Sequence, residues 1–360
     1  EQWRARFLEL KQKQAAALFA LARQAMQAKR FNSAFRLVHE VLHEDPDHKD
    51  ARRILGYRGS PGNWIKQGSR RTREKRGTTR HRVLGWRARG YWRIDSEHFQ
   101  ISTNVDGKAG LELARQLEDL LAVWRQVFFE SWGSPTSLQK RFTGQNAPLA
   151  PASRFRFKVV LFRDRDDYVR KLGVVEPLIA KTVGYYLARR QTSFFYAGDA
   201  SVHTTRFHEV THQFFQESRR GTSDVGEQAD FWIVEGVALY MESLQAYSGY
   251  YTLGGFDANR LQFARHRFVS QRFYLPIGQL AELGREGIQG HKDLRRLYSQ
   301  STGLTHMLMD HEHGRYRRGL MRYLTAVYRG QSQQVDLTSA FGVPGAELDR
   351  VYGDFLRVTD

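Results

Sequence analysis

The chain has no cysteine among its 360 residues. That absence excludes disulfides, thiolate metal ligands and a cysteine nucleophile, and it fits any redox compartment. No apolar run approaches the roughly 18–20 residues that a transmembrane helix needs, so no membrane-spanning segment is expected. No low-complexity tract of any length appears. Acids are scarce relative to bases: 38 Asp and Glu stand against 56 Lys and Arg, a formal net charge of +18. What is present is the composition of a folded protein, 41% hydrophobic and 13% aromatic. The length allows a sizeable core and suggests one large domain with an appendage. The chain starts at Glu1 and not at Met. That suggests a removed leader or a trimmed chain, and export to the cell envelope or beyond is the expectation.

Residues 208–212 read His-Glu-Val-Thr-His, and Glu235 follows in the segment Phe231-Trp232-Ile233-Val234-Glu235-Gly236-Val237-Ala238-Leu239-Tyr240. On a helix His208 and His212 lie one turn apart on one face. Two imidazoles so placed can bind one Zn²⁺ at about 2.0–2.1 Å each. Glu209, beside the first ligand, can act on a metal-bound water as general base. Glu235 on a second helix supplies a third protein ligand, and a fourth position left for water marks a catalytic rather than a structural site. Context strengthens this reading. Phe207, Val210, Phe214 and Phe215 suit a buried helix. A lone carboxylate in a run as apolar as 231–240 is costly unless it is paired or bound to metal. Gly236 permits close approach of a neighbouring backbone.

The pattern His208-Glu209-x-x-His212 followed by Trp232-x-x-Glu235-Gly236-x-Ala238-x-Tyr240-x-Glu242 resembles the gluzincin metallopeptidases, in particular the peptidase MA-like bacterial family, many of whose members are known only as domains of unknown function. The likeness spans roughly residues 95–330 and is strong at the two metal segments. It implies an α+β fold with a thermolysin-like gluzincin core, a small mixed-sheet lobe leading into a helical lobe with the cleft between them. It implies His208, His212 and Glu235 as zinc ligands and Glu209 as the base. Glu242 matches a second acid of the aminopeptidase branch. Two helical turns beyond Glu235, it shares that residue's face and could fix the tautomer of a ligand histidine. Tyr298, in Tyr298-Ser299-Gln300-Ser301, matches the family's transition-state donor, with His306 as second choice. The acid and lysine that follow this tyrosine in the aminopeptidases are missing. No counterpart of their amine-reading glycine motif appears, which favours an endopeptidase or a specialised cleavage. The spacing of His306, His311 and His313 does not share a helical face, and these are read as solvated histidines.

The rest of the chain divides into three parts. Residues 1–57 read as a helical hairpin in which Leu21, Ala34 and Pro46 fall where a tetratricopeptide repeat places its leucine, its small packing residue and its terminal proline. One repeat cannot bury its own face, so the hairpin must dock on the remainder or on a protein partner. Residues 58–93 form a basic connector with twelve Lys or Arg and one acid, Glu74. Its densest part, Arg70–Arg76, has no helical or strand period. Such a patch could draw a polyanion by counterion release, and Trp64, Trp86, Tyr91 and Trp92 could stack on bases or sugars. The alternative is a solvated linker whose aromatics pack on the third part, 94–360. There a strand is expected at His98–Ser102, a helix over 108–131, a loop from Gly144 to Pro151, a strand at Arg154–Phe162 and a short helix at Asp164–Leu172. A hairpin is expected at Val183–Leu187 and Thr192–Tyr196, followed by the motif helix at about 203–218. Ser193–Tyr196 is read as the strand bordering the cleft, to which an extended peptide could add.

Together these readings give a zinc-dependent peptidase that hydrolyses peptide or protein substrates through a Glu-activated, zinc-bound water. The alternative is a catalytically silent envelope or scaffold module, which binds a polyanion or partner protein through the connector and hairpin. A third reading is zinc hydrolysis of a non-peptide amide.

Overall fold

The computed structural model describes residues 2–150, 156–198, 202–218, 221–222, 224–248 and 250–358. The architecture is α+β, with a six-stranded mixed sheet and a majority of helix. Two compact units are formed, one from Glu1–Arg73, Ser96–His98 and Leu121–Arg156, the other from Glu74–Asp95, Phe99–Leu120 and Phe157–Asp360. The basic segment expected as a connector thus contributes to both. Among the described residues no helix is long and apolar enough to cross a membrane.

In the first unit, Gln2–Gln27 and Phe31–Glu44 form a helical pair. The chain reverses near Lys29, which adopts φ +56°. Ala15, Phe19, Ala22 and Met26 make the buried stripe of the first helix, and Ala34, Phe35, Val38 and Val41 that of the second. Leu21, at the repeat pattern's leucine position, falls between the stripe positions and is 49% exposed, while Ala34, at its small packing position, is buried. The hairpin's open face is covered within the same unit. Phe35 stacks on Phe129 at 4.7 Å and meets Trp132 edge-on at 5.6 Å. The backbone N–H of Glu130 donates to Asn32 Oδ1 at 2.9 Å. Gly59 to Gly62, read as a breaker, turns a short hairpin between Tyr57–Ser60 and Asn63–Lys66.

The second unit holds the sheet. Its strands lie in the order Arg73–Arg76, Trp92–Asp95, Phe99–Thr103, Phe157–Phe162, Thr192–Tyr196, Gly184–Leu187. The three inner pairings run antiparallel, parallel and parallel, and Gly184–Leu187 closes one edge antiparallel to Thr192–Tyr196. Two expectations need correction. Arg73–Arg76 is an edge strand despite its lack of alternation, because all four residues are exposed and neither face is asked to be apolar. Charge on an edge also discourages further pairing. Ser193–Tyr196 is an interior strand, so the free edge beside the motif helix belongs to Gly184–Leu187. Both segments of a hairpin carry the same alternation, and periodicity does not tell which one lies outside. Arg154 and Pro151 lie outside the described residues, and the strand is described from Phe157.

Within the basic segment, Trp86 is only 7% exposed. It packs edge-to-face on Phe162 at 5.6 Å, in a core cluster with Leu84, Val160 and Tyr168. It is therefore not free to stack on bases or sugars. The Arg76 guanidinium lies over the Trp92 ring at 5.4 Å. The lone acid, Glu74, rests against Gly107 at the start of the helix Gly107–Val127, where a negative charge is favoured.

Three helices build the remainder of this unit's core: Val202–Ser218, Phe231–Met241 and Leu294–Asp310. Every residue of the second is buried. Its close approach to the third depends on Gly236, where an added Cβ would lie 2.3 Å from Thr305 Oγ1 and 2.8 Å from the Ser301 carbonyl oxygen. Gly303 does the same on the other side of the third helix, facing the Ala264 Cβ at 2.9 Å. Gly236→Ala should force these helices apart and destabilise the protein by about 1–3 kcal/mol, as overpacking does in dense cores. Thermal unfolding checks this, and an unchanged Tm would mean that the contact relaxes without cost.

Candidate metal centre

His208 and His212 lie on Val202–Ser218, with ring centroids 4.7 Å apart. Their Nε2 atoms face each other at 3.1 Å. Two lone pairs do not approach this closely unless a proton or a cation lies between them. Glu235, 7% exposed on the buried helix, completes the group. Its Oε2 is 3.2 Å from His208 Nε2 and its Oε1 3.6 Å from His212 Nε2. The two imidazoles thus face different oxygens of the one carboxylate, and one donor atom from each of the three residues can be chosen with all of them within 4.8 Å of one another. The three side chains could hold a metal ion, and among the described residues they are the only His, Cys, Asp and Glu group of three so placed.

The surroundings orient the donors. Glu242 Oε1 lies 3.0 Å from His208 Nδ1. A proton on Nδ1 leaves the Nε2 lone pair directed at the group. Arg260 holds the other carboxylate oxygen of Glu242, with Nη2 at 2.8 Å and Nε at 2.9 Å. Burial opposes charging of His208, but the carboxylates of Glu235 and Glu242 outweigh it and hold its pKa well above the ordinary imidazole value. Burial pushes His212 down to about 4, so this ring is neutral near pH 7. Burial opposes ionisation of Glu235, and the two imidazoles overcome it and lower the pKa.

Glu209 is positioned by the edge strand. Its Oε2 accepts the backbone N–H of Tyr186 at 2.8 Å. Burial raises its pKa to about 7, against the pull of His208 and that N–H. A carboxyl tuned to this range can both take and return a proton near neutral pH. His208, Glu209, His212 and Glu235 line one cleft of about 420 Å³, together with Gly184, Tyr185 and Tyr186 of the edge strand. Tyr298 lines the same cleft from the third helix. Burial, and then the charge of Glu235, push its pKa well above the phenol range, so its hydroxyl stays a donor.

His306 is elsewhere. Its side chain is 1% exposed and its ring meets Tyr240 at 4.8 Å. It is not part of the cleft lining, and it is a core residue rather than the solvated one expected, because the helix that carries it is buried from Gln300 to Met309.

Three cleft residues escape the sequence reading. Arg285 is brought in where its N–H donates to the Gly226 carbonyl at 2.9 Å. Gly284 makes room there, since a Cβ at that position would lie 2.1 Å from the Glu227 carbonyl oxygen. Tyr328 stacks on Phe215 at 5.2 Å, and its hydroxyl, buried at the cleft wall, has no hydrogen-bond partner among the described residues. Tyr186 carries the N–H that holds Glu209. Only Tyr186 has a sequence signal, its place in a strand next to the motif helix.

Behind the cleft a polar relay ties helix to sheet. Ser193 Oγ donates to Gln213 Oε1 at 2.9 Å, Gln213 Nε2 donates to Glu217 Oε1 at 2.9 Å, and the Tyr186 hydroxyl donates to the same oxygen at 3.1 Å. Burial pushes the Glu217 carboxyl up to about 7.

No model of a known protein family matches the chain, and no curated protein matches it.

Two outcomes follow from this geometry. The protein should bind about one divalent transition metal per chain, with His208→Ala or Glu235→Ala abolishing tight binding. Glu242→Gln should weaken it about 10–100-fold, the usual cost of losing a group that orients a ligand. Metal titration by calorimetry reads all three, and unchanged affinity in the two ligand variants would remove the site. For Glu217, a carboxyl with a raised folded pKa stabilises while protonated. Its contribution is present below about pH 4.5 and is lost as pH rises through about 7. Glu217→Gln should therefore gain stability relative to the parent across that range, by on the order of 1–3 kcal/mol. A difference in Tm that does not change with pH would show that Glu217 is already ionised in the fold.

Proposed function

We propose that the protein is a zinc-dependent peptidase of the gluzincin type, with a thermolysin-like arrangement of edge strand, motif helix and glutamate helix around its centre. The observation that carries this reading is the donor cluster. Two imidazole nitrogens and a carboxylate oxygen can be chosen within 4.8 Å of one another, and two imidazoles with one carboxylate are a donor set that suits zinc. A general base of raised pKa lines the same cleft. When bound, zinc would supply Lewis acidity and a nucleophile at neutral pH.

The chain's own residues supply the rest of the chemistry. Glu209 accepts the proton of the attacking water and returns it to the leaving amine, held in line by the Tyr186 N–H. The Tyr298 hydroxyl donates to the oxygen that develops charge in the transition state. Glu242 acts through His208 and is a positioning residue. The free edge of Gly184–Leu187 offers main-chain groups to an extended substrate beside the cleft, as strand addition requires.

The test is turnover of a quenched-fluorescent peptide library by the zinc-loaded protein, with chelator and zinc add-back. Glu209→Gln should retain zinc and lose several orders of magnitude in kcat, since glutamine is nearly isosteric and takes no proton. Tyr298→Phe should retain zinc and lose about 10²–10³ in kcat, the range for one oxyanion donor. Cleavage that survives chelation, or that Glu209→Gln supports at the parent rate, would overturn the reading.

A further inference from the structure

A second cleft opens on the far side of Tyr298. It is about 380 Å³ in volume and lies between two helices of the second unit. From Asn259–Val269 come Arg260, Phe263 and Arg267, spaced along one helical face. From Leu294–Asp310 come Arg295, Tyr298, Ser299 and Thr302, again along one face. Tyr298 lines this cleft and the metal cleft alike. Arg267, Leu294 and Arg295 also line an adjoining cavity of about 620 Å³, whose other walls include Lys292, Arg296 and one acid, Asp293.

The positive charge here is only partly met. Arg260 is paired with Glu242, and Arg296 with Asp293 at 3.1 Å. Arg267 and Arg295 have no carboxylate partner among the described residues. The Arg267 Nη1 atom is buried and has no hydrogen-bond partner among the described residues. Burial, and then repulsion from Arg296, Arg295 and Arg260, lower the pKa of Arg267. Gathering like charges around a part-buried guanidinium costs stability, and folding alone gives no reason for it. An anion in the cleft would satisfy Nη1 and relieve the repulsion.

We propose that this arginine cleft binds a carboxylate of the peptide substrate, so that the enzyme is selective for acidic peptides. The inference rests on the peptidase reading above. Leu239, Phe263 and Leu294 give the cleft apolar walls beside its arginines. That combination fits a short hydrocarbon stem ending in a carboxylate, which a guanidinium can take in two parallel hydrogen bonds. A nucleic-acid backbone would call for an electropositive track without the apolar walls that Leu239 and Phe263 supply. Because Tyr298 lines both clefts, a peptide held at the first lies beside the arginines of the second. The carboxylate can come from an acidic side chain or from the peptide's own C-terminus.

Zinc-loaded Glu209→Gln protein, which binds without turnover, separates these cases by fluorescence anisotropy with a neutral fluorophore. Three peptides of one length are compared: one with internal glutamates and an amidated end, one with glutamines and a free carboxylate, and one with glutamines and an amidated end. The first or the second should bind at least about tenfold tighter than the third, since one charge-assisted pair is worth roughly this factor. Whichever it is identifies the source of the carboxylate. Arg267→Ala and Arg295→Glu should each remove that preference. Arg295 is exposed, so its replacement leaves the core intact even if Arg267→Ala fails to fold. Equal binding of all three peptides, a preference that survives Arg295→Glu, or a short single-stranded oligonucleotide binding in place of the acidic peptides would overturn the proposal. Turnover of the third peptide by the zinc-loaded parent distinguishes the two readings. Cleavage without acid preference sinks the subsite alone, and acid preference without cleavage of any of the three sinks the peptidase.

Discussion

A carboxylate inside a helix with no exposed face must be compensated, and the structure around Glu235 is arranged to do so. An unpaired buried charge costs several kcal/mol. Glu235 finds its compensation in His208 and His212, at 3.2 and 3.6 Å, from a different helix. The pairing is only half a solution, because it brings two Nε2 atoms to 3.1 Å of each other. A cation shared by the three donors resolves both problems together, and a proton on His208 resolves them in part. The same constraint explains Glu242, whose charge steadies the His208 ring and is itself held by Arg260.

This centre depends on helix spacing that only glycine permits at two points. Gly236 brings the glutamate helix against Ser301 and Thr305, and Gly303 brings the tyrosine helix against Ala264. Each contact sets one wall of a cleft. The first brings Tyr298 into the cleft lined by His208, His212 and Glu235, and the second brings the arginines of Asn259–Val269 into one cleft with Arg295. The edge strand supplies a further wall and, through the Tyr186 N–H, holds the Glu209 carboxyl in the cleft.

Much of this is legible in the sequence because the relevant signals are local. Helical spacing puts His208 and His212 on one face, the apolar run marks the helix around Glu235 as buried, and a two-turn separation puts Glu242 beside it. The strand at Phe99–Thr103 and the helix Gly107–Val127 follow from their periodicity. What is not legible depends on contacts distant in sequence or on backbone pairing. Arg285 reaches the cleft because a loop packs on Gly226 and Glu227, and Tyr328 because its ring rests on Phe215. No local pattern encodes either. Arg73–Arg76 becomes a strand through main-chain pairing at an edge, where side chains are not asked to alternate. Leu21 matches a repeat template by position, but the burial stripe of its own helix passes through Ala22. Trp86, which could have stacked on a ligand, is committed to the core beside Phe162.

The excess of basic residues acquires meaning only when its distribution is followed residue by residue. In the segment 58–93 the charges are mostly solvated, and one of them, Arg76, covers a tryptophan. Around Tyr298 the situation differs, because there the charges crowd a partly apolar cleft. Arg260 is neutralised by Glu242, so an incoming anion need not strip the residue that steadies His208. The surplus lies at Arg267, two helical turns beyond Arg260 on the same helix, and at Arg295 on the helix of Tyr298. An anion held there would leave the ligand-orienting pair intact and would place the chain attached to it against Tyr298. The two clefts then share a wall without competing for a charge, which is the arrangement that a substrate spanning both requires.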